Sequence, residues 1–324
     1  MALRVGLCTS LNQENLGKLK AGGIRTVTDF ITRDPDAISK DLHIPYKDVC
    51  SIRRVLISEN SAYPVSAVTL YKDALPMLTM LSTGCNRLDE LLDGGLFTAE
   101  VTEIAGFTAA GKTRICLWCA ATTVMTEKYT VVYIDTCSSF SIECVLDVLS
   151  QSADFNQAEL SQELLEEKLQ RIKLVQAFNV FDLFSVLESI REDLTKPTPM
   201  EYGNVKLVII DNLASPINPI IGGQIAHSQG IISQLGLSLK QLAHKSSLAV
   251  LVTNNLTTSM NGDKSKPALG KSWSHVPHTR LIIQKCKHVS SHSSLREVCL
   301  VKSGRQQTPA TTTISLDRRQ QDPG

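Results

Sequence analysis

Eight residues, Gly106-Phe107-Thr108-Ala109-Ala110-Gly111-Lys112-Thr113, carry the spacing G-x-x-x-x-G-K-T. That pattern suits a phosphate chain, because an anionic triphosphate needs several donors pointing inward at once. A tight loop running into a helix supplies backbone N–H groups, and the helix N-terminus adds a favourable dipole. Glycines at 106 and 111 let the backbone turn and come close, since neither carries a Cβ. Lys112 is expected to reach the β- and γ-phosphates, and Thr113 to offer its hydroxyl to Mg²⁺. Arg114, the next residue, completes the expected nucleotide-contacting stretch.

A second feature completes such a site. Leu207-Val208-Ile209-Ile210-Asp211 is four apolar residues and then a carboxylate. It reads as a buried strand that presents Asp211 at its C-terminal end, where open α/β sheets bind ligands. Asp211 is expected to hold Mg²⁺ through water, opposite Thr113.

The elements that must position these residues follow from hydrophobic periodicity and breakers. Val101–Ala105 predicts a buried strand ending at the loop, and Thr113–Thr126 the helix after it. Further strands are predicted at 130–135, 172–175, 206–211, 249–254, 280–285, 297–302 and 311–315. Helices are predicted at 86–92, 141–150, 160–170, 182–194 and 230–244, that at 160–170 being acidic and solvated. Strands alternating with helices imply an α/β fold with a mainly parallel sheet covered on both faces. Residues 1–60 read as a small helical domain, with Leu11, Leu16 and Leu19 at helical spacing and a break at Ala21-Gly22-Gly23-Ile24. Two short helices about a glycine turn resemble a helix-hairpin-helix unit, which serves either a DNA backbone or a protein contact, the latter favoured here. Residues 61–79 read as a linker without clear period, extended near Tyr63-Pro64-Val65 and able to add to another subunit's sheet edge. The nucleotide-binding domain is expected over 80–317 and a disordered tail over 318–324.

Composition bounds the rest. Hydrophobic residues make up 43% of the 324, enough for a large core beside a small one. The net charge of +1 is unevenly spread: residues 262–324 hold eleven Lys and Arg against four Asp and Glu. A basic C-terminal portion suits a polyanion, or balances an acidic face elsewhere. No secretory signal and no apolar run of membrane-spanning length is present, so the nine cysteines are expected as reduced thiols in an intracellular protein. Cys116 and Cys119 form a C-x-x-C, but without a second pair they read as small core residues.

From about residue 1 to 316 the chain resembles the RecA-family recombinases of the eukaryotic type. The matching stretches include Leu81-Ser82-Thr83-Gly84, Gly95-Leu96-Phe97, Glu100-Val101-Thr102-Glu103, the phosphate loop, Val132-Tyr133-Ile134-Asp135-Thr136, Asp211 and Thr253-Asn254-Asn255. Leu3-Arg4-Val5-Gly6-Leu7-Cys8 and Pro267-Ala268-Leu269-Gly270-Lys271-Ser272-Trp273-Ser274 carry a nearer likeness to the D-type paralogues of the strand-exchange recombinase. The resemblance implies a RecA-like P-loop ATPase core that takes ATP and Mg²⁺. It also implies two loops facing single-stranded DNA, one within Pro216–Gly230 including Gly222 and Gly223, the other within Thr257–Trp273. In the second, Lys264, Lys266 and Lys271 could pair with phosphates. Implied partners are single-stranded DNA, the main recombinase and other paralogues. Among these, a C-type paralogue would bind through the ATPase domain and a further short paralogue through the N-terminal region. The resemblance also implies a nuclear location and roles in double-strand-break repair and telomere maintenance, with no membrane partner.

Three departures from that family matter. Active members carry a Glu after the Asp-Thr that ends the second strand, to polarise the attacking water; here Cys137 stands there. A neutral thiol cannot orient or accept from water as a carboxylate does, so ATP binding with slow hydrolysis is expected. Asn255 replaces the usual Gln that senses the γ-phosphate. The family's Phe-x-x-Ala self-association motif is not clear in the linker, which favours heteromeric association. The expected function is therefore an accessory recombination protein, with a self-assembling strand-exchange recombinase or an unrelated P-loop kinase or helicase as alternatives. Glu103, on the strand before the loop, is expected to be held by structural hydrogen bonds.

Overall fold

The computed structural model describes all residues except 1–2, 4, 6–7, 9, 62–63, 76–77, 126–128, 151–161, 197–200, 222–224, 259–264, 287–293 and 318–324. They form two compact units, Met1–Lys72 and Asp73–Gly324.

Caps set the helices of the first unit. Asn12 accepts the Asn15 N–H at 2.8 Å and starts α1 (Gln13–Ala21). Thr26 and Asp29 form a reciprocal capping box on α2 (Val27–Thr32), which satisfies two donors that a helix start leaves unpaired. Pro35 opens α3 (Pro35–Leu42), where its missing N–H costs nothing. After α4 (Tyr46–Asn60), the Leu11, Leu19, Ile24, Phe30, Ile52 and Leu56 side chains lie fully inside a common core. Gly23, at φ +78°, closes α1, and the Gly22 and Gly23 amides donate to the Lys18 and Lys20 carbonyls. Those turn amides are engaged within the unit, so the turn as folded offers neither to a DNA phosphate.

The stretch expected as a linker holds a helix, α5 (Ala67–Ala74), and the division between the units falls within it. Ser66 supplies the start that a search for apolar period overlooks: its Oγ accepts the Thr69 N–H at 3.1 Å. Val68, Leu70 and Tyr71 on this helix are exposed. Tyr63 and the 318–324 tail lie outside the described residues.

In the second unit, β1 (Met80–Leu81) and β2 (Leu96–Phe97) pair antiparallel on either side of α6 (Asn86–Leu91). Then follow β3 (Val101–Gly106), α7 (Lys112–Met125), β4 (Thr130–Asp135), α8 (Ile142–Ser150), α9 (Gln162–Gln170), β5 (Ile172–Gln176), α10 (Val180–Leu194) and β6 (Val205–Asp211). The chain continues through α11 (Ala214–Ile221), α12 (Ile225–Ser246), β7 (Ala249–Thr258), β8 (Ser265–Pro267), α13 (Gly270–Ser274), β9 (Thr279–Lys285), β10 (Leu295–Lys302) and β11 (Ala310–Ser315). The main sheet runs β11-β10-β9-β3-β7-β6-β4-β5, with β8 paired to β7. The pairs from β9 through β3, β7, β6 and β4 to β5 are parallel; β10 and β11 add antiparallel strands at one edge. Alternation along the strands feeds two cores: Tyr133, Leu207, Ile209 and Leu251 go to one face, and Ile134, Val208, Ile210 and Val252 to the other. That is the period of two expected of strands buried on both sides.

Two sequence expectations change here. The proposed DNA loop within Pro216–Gly230 is largely helical. Asn212 Oδ1 caps the Ser215 N–H at 2.7 Å, and Ile217 packs into the core, so α11 forms despite Pro219. Pro216 sits in the first turn, where proline is tolerated. Helix α12 begins at Ile225, five positions before Gly230. Helix α9 is not wholly solvated, because Leu165 and Leu169 pack on the core.

Candidate nucleotide site

Strand β3 is buried along its whole length and delivers the loop at the sheet's C-terminal edge. At Gly106 a Cβ would lie 2.7 Å from Ile283 Cγ2 and 2.9 Å from the Ile283 carbonyl oxygen. At Gly111, where φ is +108°, a Cβ would lie 2.6 Å from Leu316 Cδ1. Gly106 is therefore required by space, since backbone stands in the way, and Gly111 by its backbone conformation, since the Leu316 tip could shift. Lys112, the first residue of α7, is 8% exposed, and its Nζ donates to the Gly106 and Phe107 carbonyls at 2.9 and 3.0 Å. Burial holds its pKa below the ordinary lysine value, and the Asp211 carboxylate opposes that shift. A desolvated ammonium folded onto neutral carbonyls gains by exchanging them for phosphate oxygens. Thr113 is half-buried beside it, while Phe107, Thr108 and Ala109 are exposed.

One strand beyond the neighbouring β7, Asp211 ends β6 at 3% exposure. Its Oδ1 accepts from Thr253 Oγ1 at 2.5 Å, and its Oδ2 from Tyr133 Oη at 3.0 Å and Ser139 Oγ at 3.4 Å. Three hydroxyls aim this carboxylate, and burial pushes the Tyr133 phenol far above its usual pKa, so it remains a donor. Asp135, the register partner of Asp211 on β4, accepts the Cys137 and Phe140 amides at 3.0 and 2.9 Å. It thereby shapes the turn that carries Cys137. That thiol is exposed and receives the Asn212 Nδ2 donor at 3.5 Å. Thr136 and Asn212 exchange hydrogen bonds of 2.6 and 2.8 Å, joining the ends of β4 and β6.

The remaining expected residues fall as follows. Gly106 pairs with Asn255 across β3 and β7, and the Asn255 carbonyl accepts the Ala268 N–H at 2.8 Å. Asn255 thus lies between the phosphate loop and the β7–β8 hairpin. Arg114 is ion-paired to Asp147 on α8 at 2.7 Å. Lys266 and Lys271 are exposed, on β8 and α13, whereas Lys264, Gly222 and Gly223 lie outside the described residues. Trp273, included in the expected second loop, is fully buried. Its Nε1 donates to Glu103 Oε1 at 2.9 Å, beside Asn254 Nδ2 at 2.7 Å, and Arg280 pairs with Oε2. Glu103 is held structurally, as its place on β3 suggested. Cys116 and Cys119 are fully buried core residues, and burial raises the Cys116 thiol well above its usual pKa. Sequence reasoning missed Tyr133, Thr253 and Arg296. Of these, Tyr133 and Thr253 left a signal, each a hydroxyl following an apolar run, and Arg296 left none.

The donor set fits Mg·ATP. Gly106 leaves no room for a side chain, Gly111 holds a backbone conformation that side chains avoid, and the loop brings one ammonium. Thr113 and Asp211 offer one hydroxyl and one carboxylate, the sparse oxygen set Mg²⁺ takes when phosphates supply the rest. Among the described residues no group of three or more His, Cys, Asp or Glu could hold a metal alone, and no helix is long and apolar enough to cross a membrane.

A strand–loop–helix phosphate cradle beside a buried strand-end carboxylate, on this mainly parallel sheet, defines a P-loop protein of the RecA-like fold. Residues 76–302 match the family described as Rad51, and residues 1–59 match the RAD51D N-terminal domain. The chain belongs to the Rad51 family. It is similar to DNA repair protein RAD51 homolog 4 of Bos taurus, at 37% identity over 97% of this chain and 94% of that one. The protein of the same name from Mus musculus is 36% identical, over 97% of this chain and 94% of its own. Probable DNA repair protein RAD51 homolog 4 of Dictyostelium discoideum is 26% identical, over 91% of each.

Proposed function

We propose that this protein is an accessory factor of homologous-recombination DNA repair that binds Mg·ATP and works within a hetero-oligomer of recombinase paralogues. The observation that carries the nucleotide reading is Lys112 Nζ folded onto the Gly106 and Phe107 carbonyls, in a loop where Gly106 leaves no room for a Cβ. Similarity along nearly the whole chain to proteins named for DNA repair supports the recombination reading.

In this reading residues 106–113 cradle the phosphates, Thr113 and Asp211 hold Mg²⁺, and Asn255 meets the γ-phosphate end. Mg·ATP, when bound, would supply a compact, multiply charged group for residues 106–113, Asp211 and Asn255 to hold. The protein's own residues do the rest: Lys112 neutralises phosphate charge, and the hydroxyls of Tyr133, Thr253 and Ser139 hold Asp211 in its orientation. Cys137 offers no carboxylate to orient water, so turnover is slow and the nucleotide serves as a clamp that orders a subunit interface. Single-stranded DNA meets the Lys266 and Lys271 side of the hairpin. The N-terminal helical unit, over about residues 1–60, contacts a short paralogue, and the ATPase unit contacts a C-type paralogue. The complex acts in the nucleus on recombinase filament assembly and at telomeres.

Co-purification from cells, wild type beside Lys112→Ala, tests this. Wild type should bring down recombinase paralogues, and the variant should lose those held through the ATPase unit while keeping those held through residues 1–60. Recovery of no paralogue by wild type sinks the assembly role. Equal recovery by both proteins sinks the clamp.

A further inference from the structure

Strand β10 places Arg296, Val298 and Leu300 on its buried face. The last two are ordinary core residues. An arginine in the same row, 8% exposed, needs acceptors, because a guanidinium taken from water without them is costly. Arg296 Nε donates to the Ala110 carbonyl at 2.9 Å, and Nη1 to the Leu295 carbonyl at 2.8 Å. Ala110 is the loop residue just before Gly111. The next strand brings Leu316 to the same place. Its amide bonds to the Ser294 carbonyl at 2.9 Å, and its side chain occupies the space behind Gly111.

A phosphate cradle works only if its N–H groups face the ligand and its carbonyls do not. Carbonyls that face a triphosphate repel it. Two cations engage the loop's carbonyls here: Lys112 takes those of Gly106 and Phe107, and Arg296 takes that of Ala110. Lys112 must release its carbonyls to meet phosphate. Arg296 stands on a different strand, behind the loop, and has no such task.

We infer that Arg296 is a positioning residue for the phosphate loop. It fixes the Ala110 carbonyl away from the ligand, so that the amides from Gly111 onward present themselves, and Leu316 holds Gly111 against retreat. The inference rests on the nucleotide reading above. It makes the shape of a loop near residue 110 depend on the β10–β11 edge near the end of the chain.

The test uses the full chain, as wild type, Arg296→Met and Arg296→Lys. A fluorescent ATP analogue is titrated with Mg²⁺, and amide hydrogen exchange over residues 106–113 is followed without nucleotide. Arg296→Met should weaken binding about tenfold or more, the scale of one lost charge-assisted hydrogen bond. It should also speed exchange at the loop. Arg296→Lys, which keeps a cationic donor, should stay within about threefold of wild type. Wild-type affinity and exchange in Arg296→Met overturn the inference. So do equal losses in both variants accompanied by equal drops in unfolding temperature, which would make Arg296 a packing residue only. Wild type that binds no nucleotide refutes the nucleotide reading instead, and loop exchange in the variants then decides the positioning role.

Discussion

Glu103 is a fully buried carboxylate of the ATPase unit, and replacing it or its partner Trp273 tests whether α13 and β3 are joined through it. The carboxylate is fully buried, and its Oε1 accepts from Trp273 at 2.9 Å and Asn254 at 2.7 Å while Arg280 faces Oε2. Trp273→Phe deletes one hydrogen bond to a charged acceptor, about 1.5–3 kcal/mol, and part of a ring from a packed site. Glu103→Gln keeps the shape but leaves the Arg280 guanidinium, 12% exposed, without its counter-charge. Breaking a buried pair from one side costs about 3–5 kcal/mol. Glu103→Gln should therefore be the more damaging, and each kcal/mol should lower the unfolding temperature by about 2–4 °C in a unit of this size. Because both substitutions act on one network, the double variant should lose less than the two singles added together. Calorimetric unfolding of all four proteins measures this. A Trp273→Phe protein as stable as wild type removes the indole from the network. A Glu103→Gln loss no larger than that of Trp273→Phe refutes the ion-pair argument.

Two other perturbations follow from the same structure. His278 Nδ1 accepts the Val101 N–H at 2.9 Å, and burial, aided by Lys240, Lys302 and Arg305 against Glu100, holds its pKa below the ordinary 6.5. The unfolded chain therefore takes up the proton first, so this contribution is whole above pH 6.5 and is lost as pH falls; denaturant unfolding from pH 7.5 to 5 should show that decline, and its persistence unchanged in His278→Gln would assign it elsewhere. Cys137→Glu places a carboxylate on an exposed turn already shaped by Asp135, and ATP turnover should rise by about 10²–10⁴-fold; turnover unchanged in a variant that still binds ATP would show that slow hydrolysis has another cause.

What the chain disclosed by itself was what lies close in sequence. The phosphate loop is eight consecutive residues, and the apolar run with its closing Asp211 is five, so pattern and chemistry are read together. The long β7 and α12 were expected in place but too short; the extra length of β7 comes from its pairing with β8. Helices α5 and α11 were hidden for a different reason. Each is short, carries or follows prolines, and is started by a single side chain, Ser66 or Asn212, whose capping geometry no periodicity reveals. Glu103 was read as structural from its place on β3, whereas Tyr133 and Arg296 meet the site only through sheet register. Tyr133 sits beside the Asp211 strand, and Arg296 reaches Ala110 from a strand 186 residues away.

The turn around Cys137 sharpens the functional argument. Asp135 binds the Cys137 and Phe140 amides, and Thr136 is locked to Asn212, so the backbone that would carry a catalytic acid is kept in order. Asp211, in turn, is oriented by three hydroxyls. A site with no use for nucleotide would need neither the aimed carboxylate nor a lysine folded into the loop. The residues present instead fit the proposed Mg·ATP, while Cys137 brings no carboxylate to activate water. That combination favours a bound nucleotide that lasts, and a lasting nucleotide suits an interface that must hold its partners more than an engine that must cycle.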